Sequence, residues 1–161
     1  MSGYRIRDGN LPDDAAIGRS FIFGLQKYER LFEDDRRVDA TVAAEFFEVL
    51  ASRVAEKQGR IFIAEDEAGT AIGWAVCFVD ENEIYVEPAV RTYGYISELY
   101  LVEQARGRGI GQALIGRCED HFRTLGLKLM MIGVLSKNLG ARRSYISAGF
   151  RPYSEMLLKG L

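Results

Sequence analysis

The stretch Arg106-Gly107-Arg108-Gly109-Ile110-Gly111-Gln112 carries the clearest chemistry in this chain. It follows an apolar run containing Ile96, Leu99, Leu101 and Val102, and it opens a segment in which Leu114, Cys118, Phe122 and Leu125 recur at helical spacing. A strand that feeds a glycine-rich turn at a helix start is suited to holding a phosphate. Glycines let backbone N–H groups approach the anion, and the unsatisfied first-turn donors and the helix dipole favour negative charge. Spacing narrows the choice of ligand. A Walker loop needs Gly-x-x-x-x-Gly-Lys followed by Ser or Thr, which the chain lacks. A dinucleotide fingerprint needs Gly-x-Gly-x-x-Gly, and here the third glycine comes one residue early. An arginine- and glycine-rich surface turn with no ligand fits the same letters.

Other reactive side chains are few. Cys77 falls in an apolar strand and Cys118 on an apolar helix face, so both read as buried free thiols, which suits a reducing cytosol. The single histidine, His121, lies three residues after Cys118. One thiol and one imidazole are too few for a metal site, and a buried helix face gives a thiol nucleophile no substrate. No metal is expected.

The elements that position the turn follow from periodicity. Tyr4–Arg7 alternates as an edge strand, and Pro12-Asp13-Asp14 opens a helix whose stripe is Ile17, Phe21, Leu25, Tyr28 and Phe32. The charged run Glu33-Asp34-Asp35-Arg36-Arg37 reads first as a solvated connection and second as a substrate contact. Asp39 or Thr41 caps a second helix with Val42, Phe46, Leu50 and Val54 inward. Residues 61–65 and 71–79 are strands joined by a tight turn at 66–69. The 80–94 connection mixes Glu81, Glu83, Tyr85, Glu87, Pro88 and Tyr93. It reads either as a plain hairpin loop or as a lining for a cationic acceptor, its carboxylates attracting ammonium and its rings offering cation–π contacts. A fifth strand over 127–135, a short helix from Asn138 to Gly149 and a final strand over 150–158 complete one α/β domain over residues 1–161.

Composition sets outer bounds. Apolar residues make up 48% and charged residues 27%, ordinary for a globular protein, and a net charge of −2 gives no nucleic-acid footprint. No apolar run reaches the roughly 18 residues of a membrane span, and the N-terminus lacks the apolar core of a secretion signal. The expectation is a cytoplasmic protein with no nucleic-acid or membrane partner.

Arg106-x-x-Gly109-x-Gly111 after an apolar strand resembles the acyl-CoA pyrophosphate loop of the GNAT N-acetyltransferases. Asn138, Ala141, Tyr145, Gly149 and Phe150 resemble that family's Asn-x-x-Ala-x-x-x-Tyr-x-x-x-Gly-Phe block, in the right order and at about the right distance. The resemblance is clear over roughly residues 60–155. It implies a GNAT fold: a mixed central sheet of about six or seven strands, about four flanking helices, and parallel fourth and fifth strands that splay apart.

The resemblance also implies roles. Backbone groups of Leu99, Tyr100 and Leu101 would pair with the pantetheine arm of acetyl-CoA and polarise its thioester. The amides from Gly107 through Arg108, Gly109, Ile110 and Gly111 to Gln112 would hold the pyrophosphate, with Arg106 and Arg108 adding positive charge. Asn138 would hydrogen-bond the arm, cap the last helix, or both. Tyr145 matches the tyrosine that protonates the leaving thiolate, though a core aromatic also fits. The glutamate that some members carry on the fifth strand is absent here. Glu98 is the better candidate base; it fits equally as an anchor for a cationic substrate or as an ion-pair partner. The implied reaction is acetyl transfer from acetyl-CoA to a primary amine in a ternary complex, with a small cationic amine favoured by the residues before the fourth strand. Acetylation of a protein N-terminus or lysine, and a non-catalytic CoA-sensing module, are the rival readings. The fold resembled is often a homodimer, and the sequence marks no dimer surface.

Overall fold

A computed structural model describes residues 3–161. Its elements run β1 (Tyr4–Asp8), α1 (Ala15–Glu29), α2 (Ala40–Glu56), β2 (Arg60–Asp66), β3 (Ala71–Glu81), α3 (Pro88–Arg91), β4 (Thr92–Leu101), α4 (Ile110–Thr124), β5 (Met130–Ile132) and α5 (Leu139–Ser147). A one-turn 3-10 segment, Glu103–Ala105, leads from β4 towards the glycine-rich turn. The strands lie in chain order, antiparallel from β1 to β4, with β5 parallel to β4. A parallel neighbour needs a crossover, and α4 supplies it.

The sheet divides two cores. On one face α1 and α2 cover Ile61, Ile63, Trp74 and Val76 with Phe21, Ile22, Phe47 and Leu50. On the other, α4 lays Ile110, Leu114, Cys118 and Phe122 over Phe62, Ala75, Cys77 and Ile96. This explains why β3 is almost continuously apolar: from Ile72 to Phe78 both of its faces are buried. Asp39 caps α2 by accepting from the Val42 amide at 2.8 Å.

Two expectations change. Five strands form among the described residues instead of six or seven, because residues 150–161 join no element and β5 is only three residues long. Pro152 removes one ladder donor from that last segment. The helices number five rather than four among the described residues, because Pro88 starts a single extra turn in the β3–β4 connection, where its missing N–H costs nothing. That connection folds on itself. The Arg91 guanidinium donates to the carbonyls of Ile84 (2.8 Å) and Val86 (2.9 Å), leaving Ile84 and Tyr85 exposed.

Candidate active site

The site begins where the sheet opens. β4 pairs with β5 only through Gly94, Ile96 and the residue between them. One residue later the β3 register slips, from Cys77↔Ile96 to Val76↔Glu98, so Ser97 bulges out of the ladder. From there β4 has no neighbour on its β5 side. Val102 N–H donates to the Ile72 carbonyl on β3 at 3.0 Å. Alternation then points the Tyr100 backbone to β3 and the backbones of Leu99 and Leu101 to the open edge. Of the three residues expected to offer backbone pairing, two face the opening; Tyr100 contributes its side chain to the wall instead.

A groove of about 760 Å³ follows this edge. At one end is the glycine-rich turn. Gly107 (φ 73°) and Gly109 (φ 79°) are left-handed, and a side chain at either would meet nothing within 4 Å. Glycine is required there by backbone conformation and not by crowding. The first intrahelical bond of α4 runs from Ala113 N–H to the Gly109 carbonyl. The amides of Ile110, Gly111 and Gln112 therefore lack helical acceptors and sit at the positive end of a 15-residue dipole. The side chain of Ile110 is fully buried, so only its backbone is available. Gly109→Ala would place an L residue in the left-handed region at a cost of about 1–2 kcal/mol. If the turn holds a diphosphate, the expected result is a roughly tenfold rise in the KM for acetyl-CoA, measured by initial rates at saturating amine.

Arg106 and Arg108 diverge. Arg108 is exposed on the turn. Arg106 donates from Nε to the Leu101 carbonyl at 3.1 Å, and its guanidinium lies 4.3 Å above the Tyr28 ring. It works as a strut between the β4 edge and the end of α1. Asn138 is 8% exposed, borders the groove and accepts from the Ala141 amide at 3.1 Å through Oδ1, which caps α5. Nδ2 keeps no protein partner among the described residues.

The other end of the groove carries the titratable groups. Tyr145 on α5 is half-buried and packs edge-on against Phe150. Burial, then the charges of Glu29 and neighbouring acids, push its phenol up to about 12. Glu98 is 8% exposed and makes no hydrogen bond or ion pair among the described residues. Burial first and Glu29 second raise its carboxyl to about 8, with Arg53 opposing. The bulge at Ser97 puts Glu98 on the same face of β4 as Tyr95. Glu98 is not among the residues that line the groove, although its chain neighbours Ser97 and Leu99 are.

Of the groove's lining residues, Tyr28 and Glu29 were not marked as site residues in the sequence, while Arg36 lies in the charged run for which a substrate contact was the second reading. Arg36 donates from Nε to Glu29 Oε2 at 2.9 Å. Tyr28 was counted in a buried stripe and Arg36 in a solvated run; an aromatic beside unmatched charges at a helix end was the available signal. Conversely, Glu81, Glu83, Tyr85, Glu87 and Tyr93 do not line the groove, whereas Tyr95, further along the chain, does. The thiols stand apart. Cys118 is held protonated by its hydrogen bond with Cys77 and by burial, and His121 Nε2 lies 2.8 Å from the Gln58 carbonyl. Among the described residues no cluster of three or more His, Cys, Asp or Glu could hold a metal ion, and no helix is long and apolar enough to cross a membrane.

The sequence model of the acetyltransferase (GNAT) family matches residues 25–150. No curated protein matches the chain. Among solved structures, a mutant of the BH1408 protein from Bacillus halodurans is 19% identical, with a TM-score of 0.82 over 98% of this chain and 99% of that one. A GCN5-related N-acetyltransferase from Ralstonia eutropha is 25% identical, with a TM-score of 0.76 over 98% of each chain. A predicted acetyltransferase from Clostridium acetobutylicum, solved with acetyl-CoA, is 20% identical, with a TM-score of 0.76 over 98% of this chain and 96% of that one.

Proposed function

The chain belongs to the GNAT acetyltransferase family, and from that premise we propose that it moves an acetyl group from acetyl-CoA to the primary amine of a small cationic molecule. One observation carries the reading: a single groove joins unsatisfied amides at the start of α4 to Tyr145 by way of the open edge of β4, and the buried Glu98 sits in sequence between two of its lining residues, Ser97 and Leu99. The parts fit an acyl-CoA. Helix-start donors suit a diphosphate, and the Leu99 and Leu101 backbones suit the amides of a pantetheine arm. Acetyl-CoA supplies the thioester, and the chain supplies alignment and charge placement.

A backbone N–H on the open edge polarises the acyl carbonyl. Glu98, once ionised, takes the amine proton through water. The Tyr145 hydroxyl faces the departing sulfur. The acceptor enters beside Glu29 and Tyr95, a carboxylate and a ring, which favours a cation. Arg36 occupies Oε2 of Glu29 and leaves Oε1 for an ammonium group.

Thiol release from acetyl-CoA, followed against polyamines, aminoglycosides, amino acids and short peptides, tests the proposal. Turnover concentrated on one small amine is the expected result. Turnover on peptides alone would move the acceptor to a protein N-terminus or lysine, and CoA binding without turnover on any amine would replace the enzyme with a sensing module.

A further inference from the structure

An ion pair lines the groove, and each of its members is only half used. Glu29, at the end of α1, and Arg36, in the loop that follows, meet at 2.9 Å between Oε2 and Nε. Arg36 commits Nη1 to its neighbour Asp35. Glu29 Oε1 and Arg36 Nη2 keep no protein partner among the described residues. Both side chains are 30% exposed, so a ligand can reach them while bulk water screens them only in part. After burial, the charge of Glu29 is the largest influence raising both the Tyr145 phenol and the Glu98 carboxyl, which sets the pair close to the reacting groups.

The pair is also held in place. Glu33, between its members in sequence, bonds Lys137 at 3.2 Å, and Lys137 adjoins Asn138 of the groove wall. The loop after α1 is thus tied to the helix at one point and to the segment before α5 at another. The free carboxylate and guanidinium atoms stay side by side. Such a pair is complementary to a ligand with an ammonium and a carboxylate on one carbon. The ammonium meets Oε1, the carboxylate meets Nη2, and the four charges alternate. A plain diamine satisfies half of this arrangement and sets a second cation beside Arg36.

We propose that the acceptor is a free α-amino acid with a second amine on its side chain: Glu29 Oε1 holds the α-ammonium, Arg36 Nη2 holds the carboxylate, and the side-chain amine receives the acetyl group. This rests on the acetyl-transfer reading above and names the acceptor within it. The α-nitrogen is not the nucleophile, because pairing with a carboxylate favours its protonated form. The side-chain amine is left to turn towards the thioester. Its nitrogen attacks the acyl carbon; the C–N bond forms, the C–S bond breaks, the nitrogen gives up one proton and the departing sulfur gains one. The products are an amide and free CoA. Leu25 and Tyr95 give the intervening methylenes apolar surface in the same groove. The molecule is a net cation, yet its carboxylate separates it from a polyamine or an amino sugar. A lysine within a peptide lacks both head groups.

Initial rates with acetyl-CoA on matched pairs test this: lysine against cadaverine and ornithine against putrescine, each amino acid beside its decarboxylated counterpart. In at least one pair kcat/KM should be about tenfold higher for the amino acid, with the product acetylated on the side-chain nitrogen. Arg36→Gln should collapse that ratio to about one, and Arg36→Lys, which keeps the charge, should restore part of it. If Arg36 were only a strut for the loop, both members of a pair would slow together and the ratio would survive, which would overturn the assignment. A wild-type protein that favours the diamines, or that acetylates the α-nitrogen, would overturn it too, and acetyl transfer to a small amine would still stand. No turnover on any amine would remove the acetyl-transfer reading and this inference with it.

Discussion

Tyr145→Phe is expected to lower kcat about 100-fold, the usual loss when one preorganised donor is removed from an acyl-transfer site, and to leave the KM for acetyl-CoA nearly unchanged. The phenol sits where burial and nearby acids push it up to about 12, so it keeps its proton across the working range. It holds that proton more tightly than a thiol does. Its part is therefore a hydrogen bond to the sulfur that strengthens as the C–S bond breaks, an interaction made in the transition state more than in the ground state. The substitution removes one oxygen and keeps the ring contact with Phe150, so the melting temperature should move little. A kcat within threefold of wild type, with the fold intact, would return Tyr145 to the role of a packed aromatic.

Local signals were legible where backbone chemistry dictates residue type. The glycines at 107 and 109 must be glycine because φ is positive, and that requirement is visible in the letters. Asn138 and Tyr145 were marked by the spacing of a family block, and Glu98 by its place before the edge expected to face the thioester. What stayed hidden depends on tertiary geometry. The bulge at Ser97, which puts Tyr95 and Glu98 on one face, leaves no mark in composition or period. Glu29 and Arg36 line the groove only because tertiary packing brings the end of α1 and the run after it beside β4, and the local letters show no more than an aromatic next to charges at a helix end. The 80–94 connection read two ways for the same reason: its carboxylates and rings have acceptor chemistry, but Arg91 ties the loop back onto itself, as in the plain-loop reading. A strand over 150–158 was a fair reading of an apolar, extended sequence. A strand needs a partner edge as well as a pattern, and this one finds none within the chain.

Glu98→Gln should separate a base from a substrate anchor, and the separation rests on pH. With its carboxyl raised to about 8, wild-type Glu98 is mostly protonated at neutrality, and kcat/KM should climb about tenfold per pH unit until it levels near pH 8. If Glu98 is the base, the variant loses that limb and drops in kcat by about 100-fold or more, keeping only the ionisation of the amine itself. If Glu98 merely anchors a cation, kcat survives and the KM for the amine rises. Stability gives an independent reading of the same group. The native carboxyl keeps its proton after the unfolded chain has released its own, so the folded state binds more protons between about pH 4.5 and pH 8. Wild-type stability relative to Glu98→Gln should therefore fall across that window, by a few kcal/mol in all, and stay level above it. The desolvated carboxylate costs the fold most under the conditions in which it can act as a base. Thermal melts of both proteins at pH 5 and pH 9 measure it: a difference that does not change with pH would mean that Glu98 is not held protonated, and the expected kinetic limb would lose its cause.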